Sequence, residues 1–566
     1  TLAFTTEITL QLDNSPPPVS AMVVTHYKTL EGCLQDVVPV MKHNLHLCEM
    51  MDKVILDCTK NNREQLSNRY FVEGDPAALL MLELKDDSEE SLEGNLKKLL
   101  KTIESSGLSY SNPILRGNDI NKAISLRKAG LGLLGNMIGD RKAVACIEDT
   151  AVSLPDLKAF IGEFTRIMKD YGQDAVYYAH AGAGELHLRP ILNLKRSEDV
   201  SLFRAITTDV AKLTKKYGGS FSGEHGDGIV RAEFIPMMLG EENYELLKRI
   251  KSFFDPDHIF NPGKIVDAYP MDQSLRYEID RQEPEISTIF DFSDSDGILK
   301  ATEKCNGSGD CRKTHNSSGG MCPSYQATKN EKDTTRGRAN ALREVLTNSV
   351  EQNRFNSDDL SEVFDLCLSC KACASECPSN VGVATLKSEF LYQYQEVNGY
   401  KFRNKLFAYN TRLNAMGSKI PELTNTIYNS RPLSYLIKKI SGIAPERRLP
   451  KVSNINLNKY LQRVNNQEDD KNKNLILYID EFTRYLDVNL GKDAIDLLCG
   501  LGYSVRLYFG ESGRAFISKG FLKQAKKLAD KNITELYEYA SQGTPILGLE
   551  PSAILTFRDE YKRFHF

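Results

Sequence analysis

Seven of the chain's twelve cysteines fall between residues 305 and 377, and four of them follow the order Cys367-x2-Cys370-x2-Cys373-x3-Cys377-Pro378. This spacing restricts the fold tightly, because the backbone must wrap so that closely spaced sulfurs turn to one side. A run of this kind supplies three thiolates to one cubane iron–sulfur cluster and sends the fourth to a second cluster. CxxC pairs also hold zinc, but four cysteines in eleven residues ending in Cys-Pro suit a cluster better. The run predicts electron transfer.

The upstream half of the array reads Cys305-Asn-Gly-Ser308-Gly-Asp-Cys311, and Cys322-Pro323 follows after a Gly-rich stretch containing His315. In register with the CxxCxxC…CP pattern, Ser308 occupies the middle ligand position. The crossing rule joins Cys322 to Cys367, Cys370 and Cys373 in one [4Fe–4S] cluster, and Cys377 to Cys305 and Cys311 in another. That second cluster has three thiolates. It is either [3Fe–4S], or a [4Fe–4S] cluster whose fourth iron is capped by Ser308 or another oxygen or nitrogen donor.

The 566 residues suggest three or four domains. Net charge is −4, from 72 basic and 76 acidic residues that are well mixed. No basic stripe marks a nucleic-acid footprint. No apolar run reaches the length of a membrane span. Thr1 opens directly into the alternating pattern TLAFTTEITLQL, read as a strand rather than a secretory leader. Cys33, Cys48, Cys58, Cys146 and Cys499 sit in apolar periodic stretches, as core thiols do. Cluster cysteines and unpaired thiols point to a reducing, cytoplasmic compartment.

Residues 1–266 read as α+β, with runs such as AMVVTHY, ALLMLEL, AVACIEDTAV, VYYAHA and ELHLRPIL between amphipathic helices. Residues 267–298 have no sustained period and form a linker. Residues 299–390 are helical between ligand loops. Residues 391–473 form a helical connector, and residues 474–566 a small βαβαβ unit with a parallel sheet. The fold class is multidomain α+β.

A second chemical centre is carried by His180-Ala-Gly-Ala-Gly-Glu185-Leu-His187 and by Gly223-Glu224-His225-Gly-Asp-Gly228. Glycines beside histidines suit backbone that bends sharply or approaches a ligand. Two histidines and a carboxylate supply N and O ligands and leave positions open for substrate, as in a catalytic divalent site. Turn histidines with satisfied hydrogen bonds are the plainer alternative.

The opening segment, CEMMD (48–52), AHAGAGELHLRP (179–190), SGEHGDG (222–228) and FNPGKI (260–265), in this order, resemble the C-terminal substrate domain of the FAD-linked oxidase family. That family includes D-lactate, glycolate and D-2-hydroxyglutarate dehydrogenases. The resemblance implies that His180, His187 and Glu224 bind a divalent metal, with zinc the first choice. It makes His225 the active-site base and Arg127 the clamp on the substrate carboxylate. Asn261 and Lys264 lie where the family returns to the flavin. The family often has HxGDGNxH in the first motif, where this chain has Ala183 and Glu185. CPSYQAT and TTRGRANALRE resemble the α-helical ferredoxin-type part joined to such flavoenzymes; Arg336 and Arg338 there either stabilise a reduced cluster or are solvated helix-cap arginines. Residues 474–566 resemble half of a cysteine-rich CCG domain, with Glu511–Arg514 and Pro551–Ala553 in place of its cysteine runs; with those cysteines gone it is expected to bind no metal and to serve as scaffold or docking surface.

The family holds FAD chiefly through an N-terminal domain, so the chain is expected to be a central part of a longer polypeptide and to bind little FAD alone. The implied activity is oxidation of a small D-2-hydroxyacid, with electrons passing from FAD through two clusters to a quinone or other carrier. Quinone coupling implies peripheral contact with the inner face of a membrane. A non-catalytic iron–sulfur electron-transfer or scaffold subunit is the alternative, and a zinc-stapled structural protein the third.

Overall fold

The computed structural model describes residues 5–60, 63–464 and 474–564. Packing divides the chain into two units: 1–283 with 375–380, and 284–374 with 381–566.

The first unit is built on a nine-stranded sheet. Its strands are β1 (Val19–Tyr27), β2 (Leu45–Asp52), β3 (Ala78–Asp86), β4 (Ser109–Ser111), β5 (Ile114–Arg116), β6 (Lys142–Ala143), β7 (Ile147–Ala151), β8 (Ala175–His180) and β9 (Glu185–Leu192). The order is β4-β1-β3-β2-β8-β9-β6, with β5 on β1 and β7 on β9, and every pairing is antiparallel.

The run AMVV in β1 is unbroken because both faces of the sheet are covered. Ala21 and Val23 pack with α1 (Leu30–Val40), α2 (Glu89–Ser106), α4 (Leu157–Asp170) and α5 (Ser197–Lys216), while Met22 and Val24 join Ile120, Ala123 and Leu126 of α3 (Asn118–Lys128) on the other side. The helix α2 shows how sequence sets such an element. Ser88 caps it by accepting from the Ser91 amide at 3.3 Å, Glu89 and Glu90 sit in its first turn, and Gly107 ends it with φ +62°. Leu92, Leu96, Leu99 and Ile103 recur at helical spacing and are buried.

One expectation fails. Residues 5–12 carry no strand, and Ile8, Leu10 and Leu12 are exposed. Alternation marks only a side-chain period; a strand also needs partners for its backbone groups, and none of the sheet's strands pairs with this segment. Residues 1–4 of the same run lie outside the described residues, as do 465–473 at the end of the connector.

The second unit is helical around its cysteines, with α7 (Thr335–Asn348), α8 (Asp358–Asp365) and α9 (Val383–Asn398) following α6 (Glu241–Phe254) of the first unit in chain order. The connector includes α10 (Pro421–Asn429) and α11 (Arg431–Ser441). A three-stranded parallel sheet closes the unit, ordered β11-β10-β12, from β10 (Asn474–Ile479), β11 (Ser504–Phe509) and β12 (Ile546–Gly548). Between these strands run α12 (Val488–Gly500) and α13 (Leu522–Ser541). No helix among the described residues is long and apolar enough to cross a membrane.

Candidate active site and cluster cavity

The antiparallel register of β7, β8 and β9 gathers the histidines of the first unit. Tyr178 and Glu148 both lie opposite His187, and His180 lies opposite Glu185. The β8–β9 turn is possible because Gly184 has φ +70° and a Cβ there would lie 2.1 Å from the Val152 carbonyl oxygen. The His180 and His187 rings are 5.1 Å apart, and His187 and His225 5.7 Å. His180 Nε2 lies 3.6 Å from Glu224 Oε1, and His225 Nε2 lies 3.1 Å from the same oxygen. One ligand atom from each of Glu185, His187, Glu224 and His225 lies within 4.8 Å of the others. Nitrogen and carboxylate oxygen donors at this separation fit a divalent ion. A buried Glu185 oxygen, Oε1, has no hydrogen-bond partner among the described residues.

Carboxylates behind the histidines set their orientation. Glu49 Oε1 meets His180 Nδ1 at 2.7 Å, holding the proton there and leaving Nε2 its lone pair. This contact also raises the pKa of His180 against the opposing effect of burial. The other Glu49 oxygen accepts from Arg127 Nε at 3.1 Å and Nη2 at 2.8 Å, and the guanidinium lies over the Tyr178 ring. Arg127 therefore sits at the site through Glu49.

Glu148 accepts from Arg189 Nε at 2.7 Å and from Tyr178 Oη at 3.1 Å, and its Oε1 is 3.2 Å from His187 Nδ1. That last contact is close in distance but off hydrogen-bond geometry. Burial opposes the charge of Glu148, yet His187 and Arg189 outweigh it and bring its pKa down to about 2.

The neighbouring Asp149 is the extra residue of a β-bulge, with φ +77° and no exposure. Its carboxylate accepts from the amides of Glu224 at 2.6 Å and His225 at 2.9 Å and from Ser222 Oγ at 2.9 Å. Burial acts against its charge, but these donors keep its pKa below the usual range. Glu185 is pushed up to about 7, first by burial and then by Asp149 and Glu224.

In the second unit, Cys322, Cys367, Cys370 and Cys373 line one cavity, together with Thr335 and Arg338. Ser369 and Lys371 adopt φ +53° and +64°, turning the loop between ligands. The start of α7 faces sulfur: the Thr335 amide donates to Cys322 Sγ at 3.0 Å and the Arg336 amide to Cys311 Sγ at 3.4 Å. Free amides at a helix start stabilise negative sulfur. Four thiols around one space fit a cluster. Cys305 and Cys311 are buried in this unit, and Ser308 is exposed, its hydroxyl donating to Asp310 Oδ2 at 2.7 Å. Cys377 lies on the segment 375–380, which packs with the first unit.

Residues 16–265 match the family model described as FAD linked oxidases, C-terminal domain, and residues 304–382 match the 4Fe-4S dicluster domain. The chain joins an FAD-linked oxidase C-terminal domain to a 4Fe-4S dicluster domain. It is homologous over nearly its full length to D-2-hydroxyglutarate dehydrogenases. That of Pseudomonas putida is 28% identical over 605 residues, covering 97% of this chain and 59% of the relative. That of Escherichia coli is 27% identical over 622 residues, covering 99% and 60%. A D-lactate dehydrogenase of Archaeoglobus fulgidus is 27% identical over 269 residues, covering 47% and 56%. The chain thus spans about three fifths of the length of the D-2-hydroxyglutarate dehydrogenases it matches.

Within the oxidase domain, Asn261 and Lys264 lie on the loop after α6. Asp255 shapes this loop by accepting from the Ile259 and Phe260 amides, each at 3.0 Å. Asn261 has φ +48°. In the dicluster domain, Arg338 is 2% exposed and donates to the carbonyls of Asp333 and Val363, at 2.6 and 3.1 Å. It is thus a buried brace at the cavity wall. Ser512, in the segment Glu511–Arg514, is buried and donates to Glu481 through its amide and hydroxyl, at 2.8 and 2.6 Å.

Glu49, Glu148, Asp149 and Arg189 carry no site signature of their own in the sequence. The available signal was the acid pair inside the apolar run AVACIEDTAV, since buried charges are rare unless paired.

Proposed function

We propose that this chain supplies the substrate-binding, metal-binding and electron-transfer parts of a flavin-dependent D-2-hydroxyacid dehydrogenase that delivers electrons to a quinone or other carrier. The observation that carries this reading is the meeting of His180, His187, Glu224 and His225 in one place within an FAD-linked oxidase C-terminal domain. Residues 1–266 carry the hydroxyacid chemistry and 299–390 the clusters, while 267–298 links them and 391–473 and 474–566 brace the cluster region.

Arg127 binds the substrate carboxylate by charge-assisted hydrogen bonds, its guanidinium fixed by Glu49. His180, His187 and Glu224 hold the divalent metal, which when bound polarises the 2-hydroxyl. His225, exposed beside Glu224, takes the hydroxyl proton on its ring. FAD would supply the hydride acceptor, and Asn261 and Lys264 would contribute to holding it. Cys322, Cys367, Cys370 and Cys373 hold one cluster, and Cys305, Cys311 and Cys377 the other, with Ser308 in the fourth register. The two clusters would supply one-electron acceptors.

In the full-length, flavin-loaded protein, His225→Asn is expected to lower turnover of D-2-hydroxyglutarate, D-lactate or glycolate at least about a hundredfold, with iron content unchanged. Unaltered turnover on every hydroxyacid accepted by the wild type would leave the electron-transfer or scaffold reading in its place. Iron and sulfide counts with EPR divide the cluster types: eight irons mean two cubanes, and seven mean a three-iron cluster at Ser308.

Contact with a membrane surface is supported by residues 401–451, which hold eleven Lys and Arg against two Asp and Glu. There α11 exposes Leu433, Leu436 and Ile440 at helical spacing, beside Lys439. Apolar side chains flanked by lysine suit an anionic lipid surface. Leu433→Glu with Leu436→Glu should abolish sedimentation with anionic vesicles; retention of binding would refute this assignment.

A further inference from the structure

Five carboxylates crowd the histidines of the first unit, and three are fully engaged by donors. Glu49 takes Arg127 and His180. Glu148 takes Arg189 and Tyr178. Asp149 takes two amides and a serine hydroxyl. Glu224 faces His180 and His225. Glu185 differs from all of them. It opens β9 at 8% exposure, and its Oε1 is buried with no hydrogen-bond partner among the described residues.

Leaving a buried acceptor without a donor is unfavourable. The hydrogen bond of Glu185 with Asp149 leaves Oε1 open, and Glu224 nearby is a further carboxylate. A cation between Glu185 and Glu224 would satisfy the open oxygen and relieve the repulsion together. One ligand atom from each of Glu185, His187, Glu224 and His225 already lies within 4.8 Å of the others.

We infer that Glu185 is itself a ligand of the divalent ion, beside His187 and Glu224. The inference rests on the proposed reading of this centre as a metal site and adds a ligand to it. With Glu185 included, the donor set holds two carboxylates. That shifts the site's relative preference from zinc toward harder, higher-coordinate ions such as Mn²⁺. A substrate then finds fewer open positions on the ion, and a second anionic substrate group is repelled from the Glu185 side.

The test titrates Mn²⁺ and Zn²⁺ into the metal-stripped chain with its clusters intact, so that the cysteines are occupied. Affinities come from chelator competition, and Mn²⁺-bound water from proton relaxation. Glu185→Gln, close in shape to the native side chain, is expected to weaken Mn²⁺ at least about tenfold and Zn²⁺ by less, with one more exchangeable water on bound Mn²⁺. Glu185→Asp should recover part of the loss, which separates ligation from a packing defect. Equal affinities and equal relaxation in wild type and Glu185→Gln, with His187→Ala still weakening binding, would overturn the role of Glu185 alone. Failure of the wild-type chain to bind either ion would overturn the metal reading together with it.

Discussion

The histidine centre of the first unit draws its side chains from six segments, spread between Glu49 and His225, whereas the cysteine cavity takes three of its four sulfurs from seven residues. The two also differ in what holds them. Around the cysteines, backbone does most of the work: positive φ at Ser369 and Lys371 turns the loop, and the first amides of α7 reach Cys322 and Cys311. Around the histidines, side-chain carboxylates do it, each fixed by its own donors. A cluster loop can therefore be encoded locally, while a site assembled across a sheet needs the sheet's register before any ligand is aimed.

This contrast can be tested by removing one part at a time. The largest effect should follow Cys373→Ser, which removes a buried sulfur from the cavity and should cost one whole cluster by iron analysis, with the fold of the first unit unchanged by hydrogen exchange. Next, Asp149→Ala strips three donors of their acceptor. It should destabilise the loop 222–228 by about 3 kcal/mol, read as lost amide protection at Glu224 and His225, with the clusters retained.

Acid should act through Glu148. Its carboxyl is lowered on folding, so its contribution is complete above the unfolded value and is lost as pH falls toward about 2. The size is about 3 kcal/mol, and Arg189→Met should flatten the decline in β9 protection factors between pH 5 and 3. The smallest effect is expected from Glu560→Gln. Glu560 accepts from Lys371 and Arg514, each at 2.6 Å, and Arg514 also donates to the Ser369 carbonyl at 3.1 Å. Loosening this brace should cost about 1–2 kcal/mol and hasten loss of iron to a chelator, leaving the histidine centre untouched.

Much of the fold is legible in sequence. The runs around Ala78–Asp86, Ala175–His180 and Glu185–Leu192 are strands, and the periodic leucines of α2 face the core, because side-chain period and burial follow directly from chemistry. The opening run failed for the complementary reason: alternation shows which face could be buried and not whether a partner strand exists. At the histidine centre, the glycine-flanked motifs revealed themselves, whereas Glu49, Glu148 and Asp149 looked like ordinary charges.

By itself, then, the sequence determined three of the sulfurs that line one cavity, Cys367, Cys370 and Cys373, since a two-residue spacing brings ligands together whatever surrounds the loop. It also determined the strands and helices whose period is intrinsic. Only the tertiary structure decided which carboxylates serve the histidines. Glu49 and His180 are 131 residues apart, and Asp149 and Glu224 are 75 apart. Their hydrogen bonds exist because β2, β7, β8 and β9 pair in one register, with one bulge at Asp149 to turn its carboxylate toward the loop.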